Sequence, residues 1–253
     1  MPDAFELTLI LPAYNERFSI AATIEQAFAY FKRRDILVEI IVAADGDDGT
    51  RELVREMAAG NPNLIVIGHK ERRGKGRGIR EAVRLARGRI VGYADADNKV
   101  PIEEYEKIER ALLEHQLVTG SRGMARSQIE RRQPWYRRLG SKAFYYFLRA
   151  VLGLPGVNDT QCGFKFFHRE VALYLFSLQQ IDGYMFDVEI LMLAHRLGIR
   201  IKEVPIRWRD DNDSRLQLFS GNLRNAIDIF KIRLRWRRVD PVPAGMFIAR
   251  NNE

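Results

Sequence analysis

Residues 89–101 read RIVGYADADNKVP. An apolar run ends in two aspartates one residue apart, Asp95 and Asp97. Residues i and i+2 of a strand face the same side. At a strand end both carboxylates can therefore approach one hard cation, and Mg²⁺ or Mn²⁺ takes oxygen ligands and bridges to substrate phosphates. A lone pair of this kind is more often a solvated loop or a helix start before Pro101, so its neighbours decide the reading.

The same form recurs through the first half of the chain. LTLIL (7–11) reads as a buried strand, followed by a helix with Ile20, Ile24, Ala27, Phe28 and Phe31 on one face. VEIIVA (38–43) precedes a helix over about 49–59, and LIVIG (64–68) precedes one over about 75–86. RIVGYA (89–94) is the fourth strand. Strand–helix alternation with short joints predicts an α/β fold with a mostly parallel central sheet flanked by helices. Ligands of such sheets bind beyond the carboxyl ends of the strands. PAYNE (12–16), ADGDDG (44–49), HKERRGKGRG (69–78) and DADN (95–98) all fall on that edge. The second half predicts helices at 102–114, 135–152, 187–197 and 216–235, and strands at 117–120, 164–168 and 201–206. The expected division is a catalytic domain over 1–215, a basic amphipathic helix within 216–240 and a flexible tail over 241–253.

The chain has 253 residues, of which 46% are apolar, enough for a sizeable core. Its one cysteine, Cys162, excludes an internal disulfide and fits a reducing compartment. The N-terminus lacks the basic and apolar regions of a signal peptide, and no apolar run reaches the ~20 residues that cross a bilayer. The expected location is cytoplasmic, peripheral on the cytoplasmic face of a membrane. A net charge of +8 favours a polyanionic partner. Nucleic acid is not expected, because aspartates at the loop edge repel phosphates and no nucleic-acid-binding signature is present.

Several features sharpen the edge. Asp45, Asp47 and Asp48 follow the second strand, where a carboxylate can accept from a nucleobase N–H or start the next helix. GKGRG (74–78) brings Lys75 and flexible backbone suited to phosphate. It matches neither the P-loop nor the dinucleotide fingerprint. The four histidines, at 69, 115, 168 and 195, form no acid/base cluster.

PAYNE, ADGDDGT, RGKGRGIREAV, ARGRIVGYADAD, LVTGSR, NDTQCGFKFF and GYMFDVEIL occur in that order. Together they resemble the family 2 inverting glycosyltransferases of the GT-A fold, and within them the dolichyl-phosphate glucose and mannose synthases. The resemblance covers about residues 6–236. NDTQCGFKFF leans to the glucose side, so UDP-glucose stands ahead of GDP-mannose as the nucleotide sugar. The resemblance implies that Pro12, Ala13, Tyr14 and Glu16 line the base and ribose, that Asp45 binds the base and that Lys75 sits by the nucleotide. It implies that Asp95 and Asp97 hold Mg²⁺ or Mn²⁺ on the diphosphate, and that Arg122 and Arg137 bind the acceptor phosphate. Asp187 and Glu189 would sit by the donor sugar, and Arg215 would close on the phosphates. Three departures stand out: Ala44 replaces a usual aspartate, Lys99 occupies a position where a glutamine often helps hold the metal, and no C-terminal membrane spans follow.

Chemistry separates two acceptors. A hydroxyl needs a carboxylate base, whereas a monophosphate, with a second pKa of about 6, is already a dianion near neutral pH. Arginines crowd 122–138 and no catalytic histidine is evident, which favours a polyprenyl phosphate over a soluble or saccharide hydroxyl. Arg131, Arg132, Arg137 and Arg138 interleave with Trp135, Tyr136, Phe144, Tyr145, Tyr146 and Phe147, a composition of membrane-interfacial elements. Leu216, Leu218, Phe219, Leu223, Ile227, Phe230, Leu234 and Trp236, among basic residues, repeat that pattern. Cys162 and Trp208 read as packing residues, and 210–213 as a mobile polar loop.

Overall fold

The computed structural model describes residues 5–129, 135–154, 156–209, 220–239, 241–242 and 247, with backbone alone at 135–139, 141–143 and 220–223. Arg131, Arg132, Arg215, the 210–213 loop and residues 216–219 lie outside the described residues, as do the side chains of Trp135, Tyr136, Arg137, Arg138 and Leu223.

Four strands form the predicted parallel half: β1 (Leu7–Tyr14), β2 (Val38–Asp45), β3 (Leu64–Ile67) and β4 (Ile90–Ala94). The helices between them are α1 (Ile20–Arg33), α2 (Thr50–Ala58) and α3 (Lys75–Val83). A 3₁₀ turn (Ile102–Glu104) leads into α4 (Tyr105–Leu112), then β5 (Leu117–Ser121), β6 (Gln128–Ile129) and α5 (Trp135–Leu152). The chain continues with β7 (Phe164–His168), α6 (Arg169–Leu178), α7 (Phe186–Arg196), β8 (Ile201–Pro205), β9 (Arg207–Trp208) and α8 (Ser220–Arg235). The main sheet runs β3-β2-β1-β4-β7-β5-β8, and β6 pairs with β9 apart from it. Only β7 is antiparallel, to both β4 and β5. The expected mostly parallel sheet is therefore present, with one reversed strand at its middle.

Alternation along each strand splits the core into two layers. Leu7, Leu9 and Leu11 join α1, α2 and α4 on one face, while Ile10 joins α3, α6 and α7 on the other. Ile20, Ile24, Ala27 and Phe31 are the buried stripe of α1. A fully buried side chain of the Phe31 class contributes roughly 1.5–3 kcal/mol. β1 runs three residues beyond the expected LTLIL. Pro12 can extend it because the β1–β4 ladder ends at Ile10↔Tyr93, leaving only β2 beside the residue that lacks an N–H.

Helix α6 has no counterpart in the sequence expectations. It follows β7 without a break, and Val171, Ala172, Leu175 and Phe176 bury one face. Helix α8 divides its apolar residues: Ile229 and Ile232 enter the core, whereas Ile227, Phe230 and Leu234 are exposed. Val242 and Phe247, within the expected tail, pack against the same core. Among the described residues no helix is long and apolar enough to cross a membrane.

Candidate active site

The site lies at the carboxyl ends of β1, β2 and β4. Tyr14 and Asp45 end their strands level with each other, and Asp95 follows β4 by one residue. The Asp95 N–H donates to the Gly163 carbonyl at 3.0 Å, and the Asn98 N–H returns to the Asp95 carbonyl at 3.2 Å, closing a turn that carries Asp97. Gly163 is required here. A Cβ on it would stand 2.0 Å from Asp95 Oδ2, so any other residue displaces the carboxylate.

Each aspartate faces an ammonium. Lys75 Nζ donates to Asp95 Oδ1 at 2.5 Å. Lys99 Nζ lies 3.0 Å from Asp97 Oδ2. Burial works against the Lys75 charge, but Asp95 and then Asp187 outweigh it and hold the ammonium above the usual lysine range. Among the described residues no cluster of three or more His, Cys, Asp or Glu forms a complete metal cage. Two half-exposed carboxylates on one turn are nevertheless what Mg²⁺ or Mn²⁺ takes from a protein when substrate phosphates complete the shell. The donor set fits a divalent ion of that kind.

Lysine also reaches the site from below. Lys165, fully buried, lies level with Tyr93 on β4 and Thr119 on β5. It donates to Asp187 Oδ1 at 2.6 Å, to the Cys162 carbonyl at 2.6 Å and to the Thr160 carbonyl at 3.1 Å. Tyr93 Oη donates to the same Asp187 oxygen. Burial, then the Asp187 charge, drives the Tyr93 phenol well above its ordinary range, so it stays a donor. Asp187 lies in the first turn of α7 and is itself buried. Burial likewise pushes the Cys162 thiol up to about 12, in line with a packing residue.

The other expected residues have defined partners. Pro12 and Ala13 lie in β1, and Tyr14 is exposed beneath Arg72, whose guanidinium stands 4.3 Å from its ring centre. Arg72 also donates to Tyr184 Oη at 2.9 Å, linking the loop before α3 to the loop before α7. Asp45 accepts from the His69 N–H at 3.1 Å and the Arg73 N–H at 2.8 Å, so it shapes that loop. Glu16 accepts from Ser19 Oγ at 2.7 Å at the start of α1. Asp48 accepts from the Thr50 N–H and hydroxyl at the start of α2. The glycines of GKGRG serve packing: a Cβ on Gly74 would stand 2.3 Å from the Asp182 carbonyl oxygen, and one on Gly76 2.5 Å from Phe186 Cβ.

Two expected substrate contacts are occupied within the protein. Glu189 is fully buried and accepts from the Gln180 and Ile181 N–H groups and from Trp236 Nε1 at 2.8 Å. Arg122 forks onto Asp159, with Nε to Oδ2 at 2.7 Å and Nη2 to Oδ1 at 2.8 Å. Its guanidinium also lies 5.5 Å from the centre of the Trp208 ring. Arg137 Cα is placed on α5, but its side chain lies outside the described residues. Sequence reasoning missed Lys165, Tyr93, Asp159, Arg72 and Gly163. For Lys165 a signal existed, a lone charge within the aromatic strand FKFFH.

A mostly parallel sheet with one reversed strand, and a carboxylate pair beyond its middle, is the arrangement of the GT-A fold. The chain belongs to glycosyl transferase family 2, whose model matches residues 8–176. Dolichyl-phosphate beta-glucosyltransferases from Trichomonas vaginalis and Dictyostelium discoideum are each 32% identical to it. The alignments cover 93% and 92% of this chain and 73% and 76% of those proteins. Glucosyl-3-phosphoglycerate synthase from Mycobacterium tuberculosis, solved with Mn²⁺ and UDP-glucose, shares the fold with a TM-score of 0.65 and 23% identity. That match covers 94% of this chain and 80% of the synthase.

Proposed function

We propose that this protein transfers glucose from UDP-glucose to a dolichyl-type polyprenyl phosphate with inversion, using a divalent ion held by Asp95 and Asp97. The observation that carries this reading is the likeness to dolichyl-phosphate beta-glucosyltransferases along almost the whole chain, with Asp95 and Asp97 together on the turn after β4. A divalent ion, when bound, supplies positive charge against the leaving diphosphate. Lys75, beside Asp95, adds a fixed cation at the same place. Tyr14, with Arg72 over it, forms a flat edge for the base and ribose, and Asp45 holds the loop that borders it. In this reading Asp45 acts by shaping that loop, and Glu189 supports α7 from within.

Asp187 is not a free base here. Its Oδ1 accepts from both Lys165 and Tyr93, so the carboxylate is fixed as a charged floor that orients the donor sugar. That suits a phosphate acceptor, which is a dianion without proton removal. Arg122, matched by Asp159, builds the acceptor side; the family resemblance assigns Arg137 to the acceptor phosphate and Arg215 to the donor phosphates. Exposed Tyr146, Phe147, Ile227, Phe230 and Leu234 on α5 and α8, amid arginines, support a membrane-surface location, where that lipid resides, as part of this reading.

The test is transfer of label from UDP-glucose to dolichyl phosphate, extracted into organic solvent, with GDP-mannose in parallel and Asp97→Ala as control. Label in the organic phase from UDP-glucose, lost with chelator and in Asp97→Ala, is expected. Retention of all label in the aqueous phase with both donors would refute the lipid acceptor.

A further inference from the structure

Lys99 engages both oxygens of Asp97. Its N–H donates to Oδ1 at 3.3 Å and its ammonium lies 3.0 Å from Oδ2. The pair is partly sheltered, with the lysine side chain 17% and the aspartate side chain 34% exposed. The Arg209 N–H, just past β9, donates to the Lys99 carbonyl at 2.9 Å and pins the lysine backbone in place. Lys75 differs, since it belongs to α3 and is drawn by Asp187 as well as Asp95. Lys99 shares its turn with Asp97 and travels with it.

We propose that Lys99 is a resident counter-ion for Asp97, which a divalent cation has to displace. The inference rests on the metal reading above. An ammonium and a divalent ion cannot both occupy the same carboxylate at full strength, so Lys99 lowers the affinity of the site for metal alone. A nucleotide diphosphate brings further oxygens to the ion and also accepts the displaced ammonium. Metal and nucleotide therefore strengthen each other's binding, and the lysine that departs from Asp97 becomes a contact for the diphosphate.

The experiment titrates Mn²⁺ into the full-length protein and follows free ion by electron paramagnetic resonance, with and without UDP. Lys99→Met removes the charge without adding an oxygen ligand. A partly exposed ion pair supports an effect of roughly fivefold. Lys99→Met is expected to bind Mn²⁺ about fivefold more tightly than wild type without UDP, and Lys99→Arg to stay within about twofold of wild type. With UDP the gain is expected to shrink or reverse, because the departing ammonium is lost. Mn²⁺ binding by Lys99→Met no tighter than wild type would overturn the inference while leaving the metal site intact. Mn²⁺ binding that is unchanged in Asp97→Ala, or absent from every variant even with UDP, would instead remove the metal reading and this inference with it.

Discussion

Replacing Lys165 by methionine removes an ammonium from the middle of the sheet while keeping a side chain of similar length. Lys165 is fully buried and Asp187 nearly so. The variant leaves the carboxylate hydrogen-bonded to Tyr93 and strips the donor from the Thr160 and Cys162 carbonyls. Removing one member of a buried ion pair costs about 3–5 kcal/mol, because the other charge stays desolvated. In a domain of this size each kcal/mol lowers Tm by roughly 2–4 °C. Lys165→Met is therefore expected to melt about 10 °C below wild type, read by circular dichroism. Adding Asp187→Leu removes the stranded charge, so the double variant is expected to recover at least about 2 kcal/mol relative to the sum of the single effects. A Tm within about 2 °C of wild type for Lys165→Met would refute the reasoning, as would strict additivity in the double variant.

Three further outcomes follow from the geometry. Gly163→Ala places a methyl 2.0 Å from the Asp95 carboxylate, so it is expected to weaken Mn²⁺–UDP binding at least about tenfold, with little change in far-ultraviolet dichroism. Burial raises the Asp159 carboxyl, but the Arg122 charge and hydrogen bonds outweigh it and hold it below its ordinary value of 3.8. A carboxyl lowered in the folded state stabilises above its unfolded value and loses that contribution as pH falls through the folded one. Tm is expected to drop below about pH 4 in wild type, with a flatter acid limb in Asp159→Asn. Phe230→Glu with Leu234→Glu, on the exposed side of α8, is expected to abolish sedimentation with anionic vesicles while Tm stays within about 2 °C.

The first half of the fold was legible because β1 to β4 are apolar on both faces and each is followed by an amphipathic helix. The edge that gathers Tyr14, Asp45, Lys75 and Asp95 follows from that alternation alone. The second half resisted for a physical reason. The place of β7 between β4 and β5 is set by pairings 46 to 78 residues apart in sequence, such as Tyr93↔Lys165 and Thr119↔Lys165, which leave no local period. Helix α6 was hidden because FKFFHREVALYLFSL passes from period 2 to period 3.6 with neither glycine nor proline between. At the site, residue type singled out Asp95 and Asp97, and the structure has them on one turn. It could not reveal that Glu189 and Arg122 are matched by internal partners, since Gln180, Ile181, Trp236 and Asp159 reach them only after folding. The expected apolar set at the C-terminus divides: Ile227, Phe230 and Leu234 face outward, whereas Trp236 packs on the core and donates to Glu189, on the same side as Ile229 and Ile232.

The most direct test of the account is the anomeric configuration of the lipid product formed from UDP-α-glucose labelled with ¹³C at C1, dolichyl phosphate and Mn²⁺. Attack by a phosphate dianion in line with the departing diphosphate predicts a β-glucosyl phosphate, read from the C1–H1 coupling in the organic extract. An α-linked product, or labelled free glucose with no glycolipid, would contradict it.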